Sequence, residues 1–210
     1  MAGFLLIKFD YIYNCDKVDK VDIDKFNLIY MLKKILGVAA SLVICGSAGL
    51  VGSLFTTHNI PIWYDVVTKV VYKPALTPPS WVFGPVWTIL YILMAVSLYI
   101  IWRKNHQSKT AKIALIIFGF QLVLNALWSY LFFELRNTTA AFIDIMAMWL
   151  AILACIILFS KISKGAAWLL VPYILWVTFA GYLNYSFASA NIPTGSFQTD
   201  SMNSSVQTIK

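Results

Sequence analysis

Five long apolar segments, separated by polar connections, dominate the pattern of this chain. They cover residues 35–55, 81–102, 113–133, 140–159 and 166–187. Each has about 20 residues, which an α-helix needs to cross the ~30 Å hydrocarbon core of a bilayer. Backbone groups in lipid must find hydrogen-bond partners within their own segment, and the chain lacks the short alternating repeats of a β-barrel. The pattern therefore predicts an all-α integral membrane protein, a bundle of five transmembrane helices.

The polar segments predict the domain organisation. Residues 31–190 are expected to form one five-helix membrane domain, because the spans and their connections use this whole length. Residues 1–30 mix acids and bases without a signal-peptide layout. We interpret them as an N-terminal extension outside the fold, with a short cytoplasmic amphipathic helix as the alternative. Residues 191–210 form a polar C-terminal tail whose composition is typical of disorder.

Composition and charge support the bilayer as the solvent. The chain is 60% hydrophobic and 12% charged, whereas soluble domains carry about 25% charged residues. If the spans alternate in direction, eight cations fall on one side: Lys33, Lys34, Arg103, Lys104, Lys109, Lys112, Lys161 and Lys164. The positive-inside rule then places the N-terminus in the cytoplasm. We expect these cations to contact membrane lipid, and we expect no nucleic-acid partner, because no basic patch with exposed aromatics is present.

No grouping of residues that would bind a metal or perform covalent catalysis is visible in the predicted spans. The two histidines, His58 and His106, lie in connections. Cys45 and Cys155 lie in mid-span without a CxxC pair and resemble small apolar residues. The chain contains no GxSxG, HExxH or phosphate-binding loop. We therefore predict no metal site and no required cofactor, and the sequence argues against hydrolysis or phosphoryl transfer.

Polar residues within the spans are expected to face the interior of the bundle, because they are costly in hydrocarbon. They are Gln121, Asn125, Asp144 and Asn184. Gln121 and Asn125 share a helix face with Trp128. Two interpretations stay open for them, hydrogen bonds between helices or polar groups of a ligand site. For Asp144 we favour a structural anchor that pairs with Arg136.

The tryptophans divide into two sets by their depth in the spans. Those near span ends fit an aromatic belt at the membrane surface: Trp63, Trp81, Trp102 and Trp168. Four others lie deeper: Trp87, Trp128, Trp149 and Trp176. Deep indoles either fill the core or form flat walls that suit a flat, mostly apolar ligand.

The first span and the connection after it carry further signals. Small residues, among them Gly49 and Gly52, allow close helix packing and leave a homodimer or a ligand groove open. The connection from His58 to Ser80 contains Pro74, Pro78 and Pro79, which exclude a regular helix over residues 74–79. Long structured loops are often lids. We expect residues 62–72 to form a short interfacial helix.

Several separated motifs resemble the translocator protein family, also called tryptophan-rich sensory proteins or peripheral-type benzodiazepine receptors. In the first half of the chain they are Trp63-Tyr64, Lys73-Pro74, Pro78-Pro79, the stretch from Trp81 to Trp87, and Leu90-Tyr91. In the second half they are Gln121, Asn125 and Trp128, Phe132-Phe133, then Pro172-Tyr173, Trp176, Phe179 and Leu183-Asn184-Tyr185. The likeness covers about residues 40–187.

The resemblance implies a five-helix bundle whose pocket opens toward the loop between the first two helices. This loop, with Trp63, Tyr64, Lys73, Pro74, Pro78 and Pro79, would be the lid. The family's pocket accepts porphyrins and drugs of the benzodiazepine type. Residues that match its lining are Trp87, Asn125, Phe133, Trp176, Ala180 and Leu183, and we add Tyr91, Gln121 and Trp128 to the predicted ligand site.

These matches predict a protein that binds or senses porphyrin-like ligands. Two alternatives are light-dependent porphyrin degradation, with Trp87 and Trp176 as the residues implicated, and transport of tetrapyrroles or lipids.

Three departures from the family pattern change the expectations. Eight residues, 65–72, separate Trp-Tyr from Lys-Pro where four are usual, and Leu76 replaces an aromatic residue. The animal cholesterol motif requires a basic residue soon after Tyr185, and none is present, which argues against sterol binding by that motif. We therefore expect a prokaryotic protein in a bacterial cell membrane.

Overall fold

The computed structural model describes the backbone of residues 2–71, 74, 76–105 and 107–190, and the side chains of 25–69, 74, 76–104 and 107–190. Its α-helices are α1 (Ala2–Asn59), α2 (Phe83–Asn105), α3 (Lys109–Ser129), α4 (Thr138–Ser160), α5 (Lys164–Leu169) and α6 (Val171–Ser189). Three π-helical turns cover Ile60–Tyr64, Val67–Val71 and Tyr130–Glu134, and a 3₁₀ turn covers Ser80–Val82. The described residues contain no strand.

Five helical stretches are long and apolar enough to cross a membrane, which confirms the predicted fold class. They are Lys25–Lys69, Ser80–Lys104, Lys109–Glu134, Thr138–Ser160 and Lys164–Ser189. The chain divides into two compact units, Met1–Ser41 and Leu42–Lys210. Helix α1 has no break at residue 30. The separate role of residues 1–30 stays a prediction, and the tail from 191 lies outside the described residues.

Local chemistry explains where the helices of the second unit begin and end. The Ser108 hydroxyl accepts a hydrogen bond from the Ala111 N–H at 3.1 Å, and the Asn137 side chain accepts one from Ala140 at 2.9 Å. These caps satisfy N–H groups that have no partner within their helix. Pro172 lies in the first turn of α6. Because proline has no N–H to continue a helix, the fifth span consists of α5 and α6 and not of one rod.

The second span starts with the 3₁₀ turn and not directly with an α-helix. Ser80 is the first residue of the 3₁₀ turn, and Pro79, with φ −59° and ψ 145°, precedes it in an extended conformation. Helix α2 begins at Phe83, so Pro85 lies in the first turn, where its missing N–H costs least.

The bundle core lies among α2 to α6. Helix α4 packs against α3 and α6, and α2 packs against α5. Phe118 of α3 stacks on Phe159 of α4 with ring centroids 5.8 Å apart. The Ser97 hydroxyl of α2 donates to the Ala166 carbonyl at 2.8 Å. These contacts hold together the helices that carry most of the predicted site residues.

A stripe of small and polar residues attaches the C-terminal part of α1 to the rest of the second unit. Its contacts are Gly49 with Tyr91, Gly52 with Ser129, the Phe55 ring with that of Tyr130 at 5.1 Å, and Asn59 Nδ2 donating to Glu134 at 2.8 Å. A Cβ atom added to Gly49 would lie 2.5 Å from Cε2 of Tyr91. Close packing within the chain therefore explains why glycine occupies this position.

Replacing Gly49 by alanine is expected to destabilise the protein by about 1 kcal/mol. Overpacking against the Tyr91 ring costs roughly 1–3 kcal/mol, and the gain in helix propensity offsets part of it. Gly46→Ala, one turn earlier, meets nothing within 4 Å, and we expect it to stabilise the helix by about 0.5–1 kcal/mol. Unfolding in mixed detergent micelles, followed by circular dichroism, measures both. Equal effects of the two substitutions would contradict this packing.

Candidate functional site

A cavity of about 800 Å³ lies between α1, α2, the end of α3 and α6. Its aromatic lining residues are Trp81, Phe83, Trp87, Tyr91, Trp128, Phe133 and Trp176. Opposite them are small or hydroxyl-bearing residues, among them Gly46, Gly49, Gly52, Ser53, Thr56 and Thr88. No charged residue is among the described residues that line it. The cavity is thus an apolar, electrically neutral space with hydroxyl groups at its margin.

The cavity is open on one side, between α1 and α2. Leu50 of α1 is 70% exposed and Trp81, just before α2, is 73% exposed, and both line the cavity. Gly84 and Thr88 on α2 are also exposed lining residues. Because both helices belong to segments long and apolar enough to span a membrane, we expect this opening to face the bilayer.

Aromatic rings form the closed wall of the cavity. The rings of Trp87 and Tyr91, one helical turn apart on α2, stack with centroids 5.5 Å apart and planes inclined by 28°. Trp87 also meets the edge of Tyr173 at 6.2 Å. Across the cavity, Trp176 of α6 lies 6.3 Å from Phe83 in an edge-to-face contact. Trp87 and Trp176 are half-buried, so each keeps surface on which a ligand can stack.

A buried hydrogen-bond network holds this wall from behind. The Tyr91 hydroxyl donates to Oδ1 of Asn125, and Nδ2 of Asn125 donates to the Tyr173 hydroxyl at 3.1 Å. The Tyr173 hydroxyl donates to Oε1 of Gln121 at 2.8 Å. Asn125 and Gln121 are therefore bonded between helices, as one of the two interpretations expected, and they lie behind the cavity lining.

A second buried contact fixes Trp128. Its indole N–H donates to Oδ1 of Asn184 at 2.9 Å, and Nδ2 of Asn184 donates to the Thr138 carbonyl at 2.7 Å. The Trp128 ring stacks on Phe132 with centroids 4.9 Å apart. Its N–H is thus already used, and Trp128 offers the cavity a ring surface without a donor.

The structure brings together most of the residues predicted for the ligand site. Those that line the cavity are Trp87, Tyr91, Trp128, Phe133, Trp176 and Ala180. Gln121, Asn125 and Leu183 are buried but are not lining residues. Contact with a ligand, and the catalytic role considered for Trp87 and Trp176, stay predictions.

The residues predicted for a lid differ from expectation in their positions. Trp63 and Tyr64 are 1% and 3% exposed, so they are packed inside the protein and do not form an exposed flap. The Trp63 ring packs on Phe132 at 5.3 Å, and the Tyr64 ring packs on Phe83 at 5.5 Å. Because Phe83 lines the cavity, Tyr64 lies one layer behind it.

The proline segment does not reach the cavity wall. Pro74 is buried, Pro78 is half-buried, Pro79 is exposed, and none of them lines the cavity. Lys73 lies outside the described residues. Ser80, at the C-terminal end of this connection, does line the cavity.

The expected pairing of Asp144 with Arg136 is not formed. Oδ2 of Asp144 and Nε of Arg136 are buried without hydrogen-bond partners. Arg136 has a positive φ of 54°, which directs the chain through the turn before α4. Asp144 is 7% exposed and does not line the cavity.

Sequence reasoning misses part of the cavity. It places Trp81 in a surface belt, whereas Trp81 lines the cavity. Gly49 and Gly52, for which close packing and a ligand groove were both left open, line it as well. Thr56 and Thr88 lie on the α1 and α2 sides. Their hydroxyls donate to carbonyls one turn earlier on their own helices, at 2.9 Å in both cases, and therefore present acceptors to the cavity. Hydroxyl-bearing residues on a small-residue helix face are the signal that could have found this side.

The fold and the site together define a class: a five-span membrane bundle with an indole-lined cavity that opens between its first two spans. The model of the TspO/MBR family matches residues 40–189. The chain therefore belongs to the TspO/MBR family, as its motifs predicted, and is related to the membrane sensory and translocator proteins of that family.

Relatives are found in bacteria, archaea and animals. The chain is 37% identical to the tryptophan-rich protein TspO of Chlorobaculum tepidum, over 77% of this chain and 99% of the relative. It is 40% identical to the protein of the same name from Archaeoglobus fulgidus, over 75% and 98%. It is 35% identical to the translocator protein of Bos taurus, over 65% and 79%.

Proposed function

We propose that this protein binds and senses porphyrins and similar flat, hydrophobic molecules within the membrane. The observation that carries the proposal is the convergence of four indole rings, from Trp81, Trp87, Trp128 and Trp176, on one neutral cavity. Flat π-surfaces favour stacked or edge-to-face contact with other flat rings. A volume of about 800 Å³ also falls within the range of ligand pockets, roughly 300–1,000 Å³.

The neutral lining indicates how such a ligand is oriented. A carboxylate buried without a cation or a donor is strongly unfavourable. Acidic side groups of a porphyrin would therefore stay at the open margin, and the ring system would enter between the indoles. The hydroxyls of Thr56 and Thr88 would accept hydrogen bonds from donor groups at that margin.

Filling the cavity from α1 tests the proposal. Gly46 lines the cavity, and a Cβ atom added to it would meet nothing within 4 Å, so Gly46→Leu adds a side chain in ligand space without a clash at that atom. We expect the affinity for protoporphyrin to fall about tenfold, equivalent to about 1.4 kcal/mol of lost contact. Quenching of intrinsic fluorescence during a protoporphyrin titration measures the affinity.

Gly119→Leu is the matched control. Gly119 of α3 also has nothing within 4 Å and does not line this cavity, so porphyrin affinity should stay within about twofold of the unsubstituted protein. If Gly46→Leu left the affinity unchanged, or if both substitutions lowered it equally, the ligand would not occupy this cavity.

A further inference from the structure

A second, polar cavity lies at the end of the bundle where the second and third spans are connected and the fourth span ends. It has a volume of about 440 Å³ and is lined by Lys104, Ser108, Thr110, Lys161 and Ile162. These residues come from the last turn of α2, the start of α3 and the end of α4. We call it the basic pocket.

The two connections around the basic pocket carry cations without acids. Residues 102–113 and 160–165 contain six cations and no Asp or Glu. The cations are Arg103, Lys104, Lys109, Lys112, Lys161 and Lys164. Asp144 is the acid within α4, and the helix rises about 24 Å between it and Ser160. The two connections therefore supply no countercharge of their own.

The helix dipoles explain why some of these cations lie at helix ends, but they do not explain the basic pocket. Lys104 lies in the last turn of α2 and Lys161 is the C-cap of α4, and a cation is favourable at each helix C-terminus. The start of α3 is different, because a helix N-terminus carries partial positive charge. The start of α3 also contributes the Thr110 hydroxyl to the lining of the basic pocket. Two ammonium groups and a positive helix end around one cavity favour an anion.

The level of the basic pocket along the membrane normal indicates the source of the anion. Trp102 and Trp168, on the helices beside the two connections, are 47% and 71% exposed. Exposed tryptophans at span ends mark the headgroup level of a bilayer. Basic pockets between helices at this level suit phosphate headgroups.

We propose that the basic pocket binds the phosphate group of an anionic phospholipid. The lysine ammonium groups neutralise the phosphate charge, and hydroxyl and N–H groups at the start of α3 donate hydrogen bonds to its oxygens. A zwitterionic lipid fits less well, because its own cation is repelled by the same lysines. The site is separate from the indole-lined cavity, with which it shares no lining residue.

The test uses the full-length protein, freed of lipid in a neutral detergent. Phosphatidylglycerol, phosphatidylcholine and inorganic phosphate are titrated separately by calorimetry. Lys104→Gln combined with Lys161→Gln removes the pocket cations. Lys109→Gln combined with Lys164→Gln is the control, because it removes the same net charge from the same end without touching the lining. Circular dichroism and monodisperse elution check that each variant is folded.

We expect phosphatidylglycerol to bind more tightly than phosphatidylcholine. The pocket variant should bind phosphatidylglycerol about thirtyfold more weakly, because it lacks two cations at headgroup level. The control variant should bind it less than about threefold more weakly. If the pocket variant does not fold, Lys104→Gln and Lys161→Gln are measured singly, with about a fivefold loss expected for each. Equal losses in the pocket variant and the control would mean diffuse attraction and overturn the proposal.

Two further outcomes also decide against the lipid. If inorganic phosphate binds as tightly as phosphatidylglycerol and displaces it, the pocket serves soluble phosphate. If the unsubstituted protein shows no preference for phosphatidylglycerol over phosphatidylcholine, the pocket does not recognise an anionic headgroup.

Discussion

Replacing both Trp87 and Trp176 by alanine is expected to lower the affinity for protoporphyrin about a hundredfold. The two indoles come from α2 and α6, both line the cavity, and each retains exposed surface. Removing one aromatic ring from a stack with a flat ring system costs roughly 1–3 kcal/mol, by analogy with bases stacked on aromatic side chains. Two such losses of about 1.4 kcal/mol each give a hundredfold change.

Fluorescence titration with protoporphyrin measures this loss, with absorbance of the porphyrin as a readout that does not depend on tryptophan. Trp168→Ala is the control, because Trp168 is 71% exposed and outside the cavity. This substitution should leave the affinity for protoporphyrin within about twofold of that of the unsubstituted protein. If the double variant is folded and binds protoporphyrin as tightly as the unsubstituted protein does, the cavity is not the porphyrin site.

The Asn125→Leu substitution is expected to lower the free energy of unfolding by about 2–3 kcal/mol. It removes the acceptor for the Tyr91 hydroxyl and the donor to the Tyr173 hydroxyl. Hydrogen bonds between helices in membranes average only about 0.6 kcal/mol, because partners are also found in the unfolded state. The larger part of the cost comes from leaving a hydroxyl without a partner in the bundle interior, roughly 1–3 kcal/mol.

Reversible unfolding in mixed micelles, followed by circular dichroism, measures this effect. Thr178→Val is the control, because it removes the acceptor for the Trp149 indole N–H in an exposed contact between α4 and α6. We expect it to cost less than about 1 kcal/mol. A loss for Asn125→Leu no larger than that of the control would mean that the network does not stabilise the bundle.

The spans could be predicted from the sequence because hydropathy is an average over some twenty positions and tolerates local errors. The break between α5 and α6 was not predicted, although Pro172 is its physical cause, because a proline early in a span is also compatible with one continuous helix. The second span was placed closely, and only its first turn differs, where Pro79 and not Ser80 precedes the helical segment.

The candidate site was only partly predictable. Depth in the span and the family motifs led to Trp87, Trp128 and Trp176, which line the cavity. The burial of Trp63 was not predictable, because a hydropathy profile does not show which residues of a connection pack on rings of other helices. The contribution of Gly46 was also missed, since an open volume depends on the distance between helices and not on any single residue.

Because the cavity opens between α1 and α2, the concentration that governs ligand binding is the concentration of the ligand in the membrane. Leu50 and Trp81 border this opening within membrane-spanning segments, so we expect a molecule dissolved in hydrocarbon to reach the cavity without passing through water. Its occupancy then follows its mole fraction in the lipid. The dissociation constant measured in a dilute suspension therefore rises with the amount of detergent or lipid present, even when the protein is unchanged.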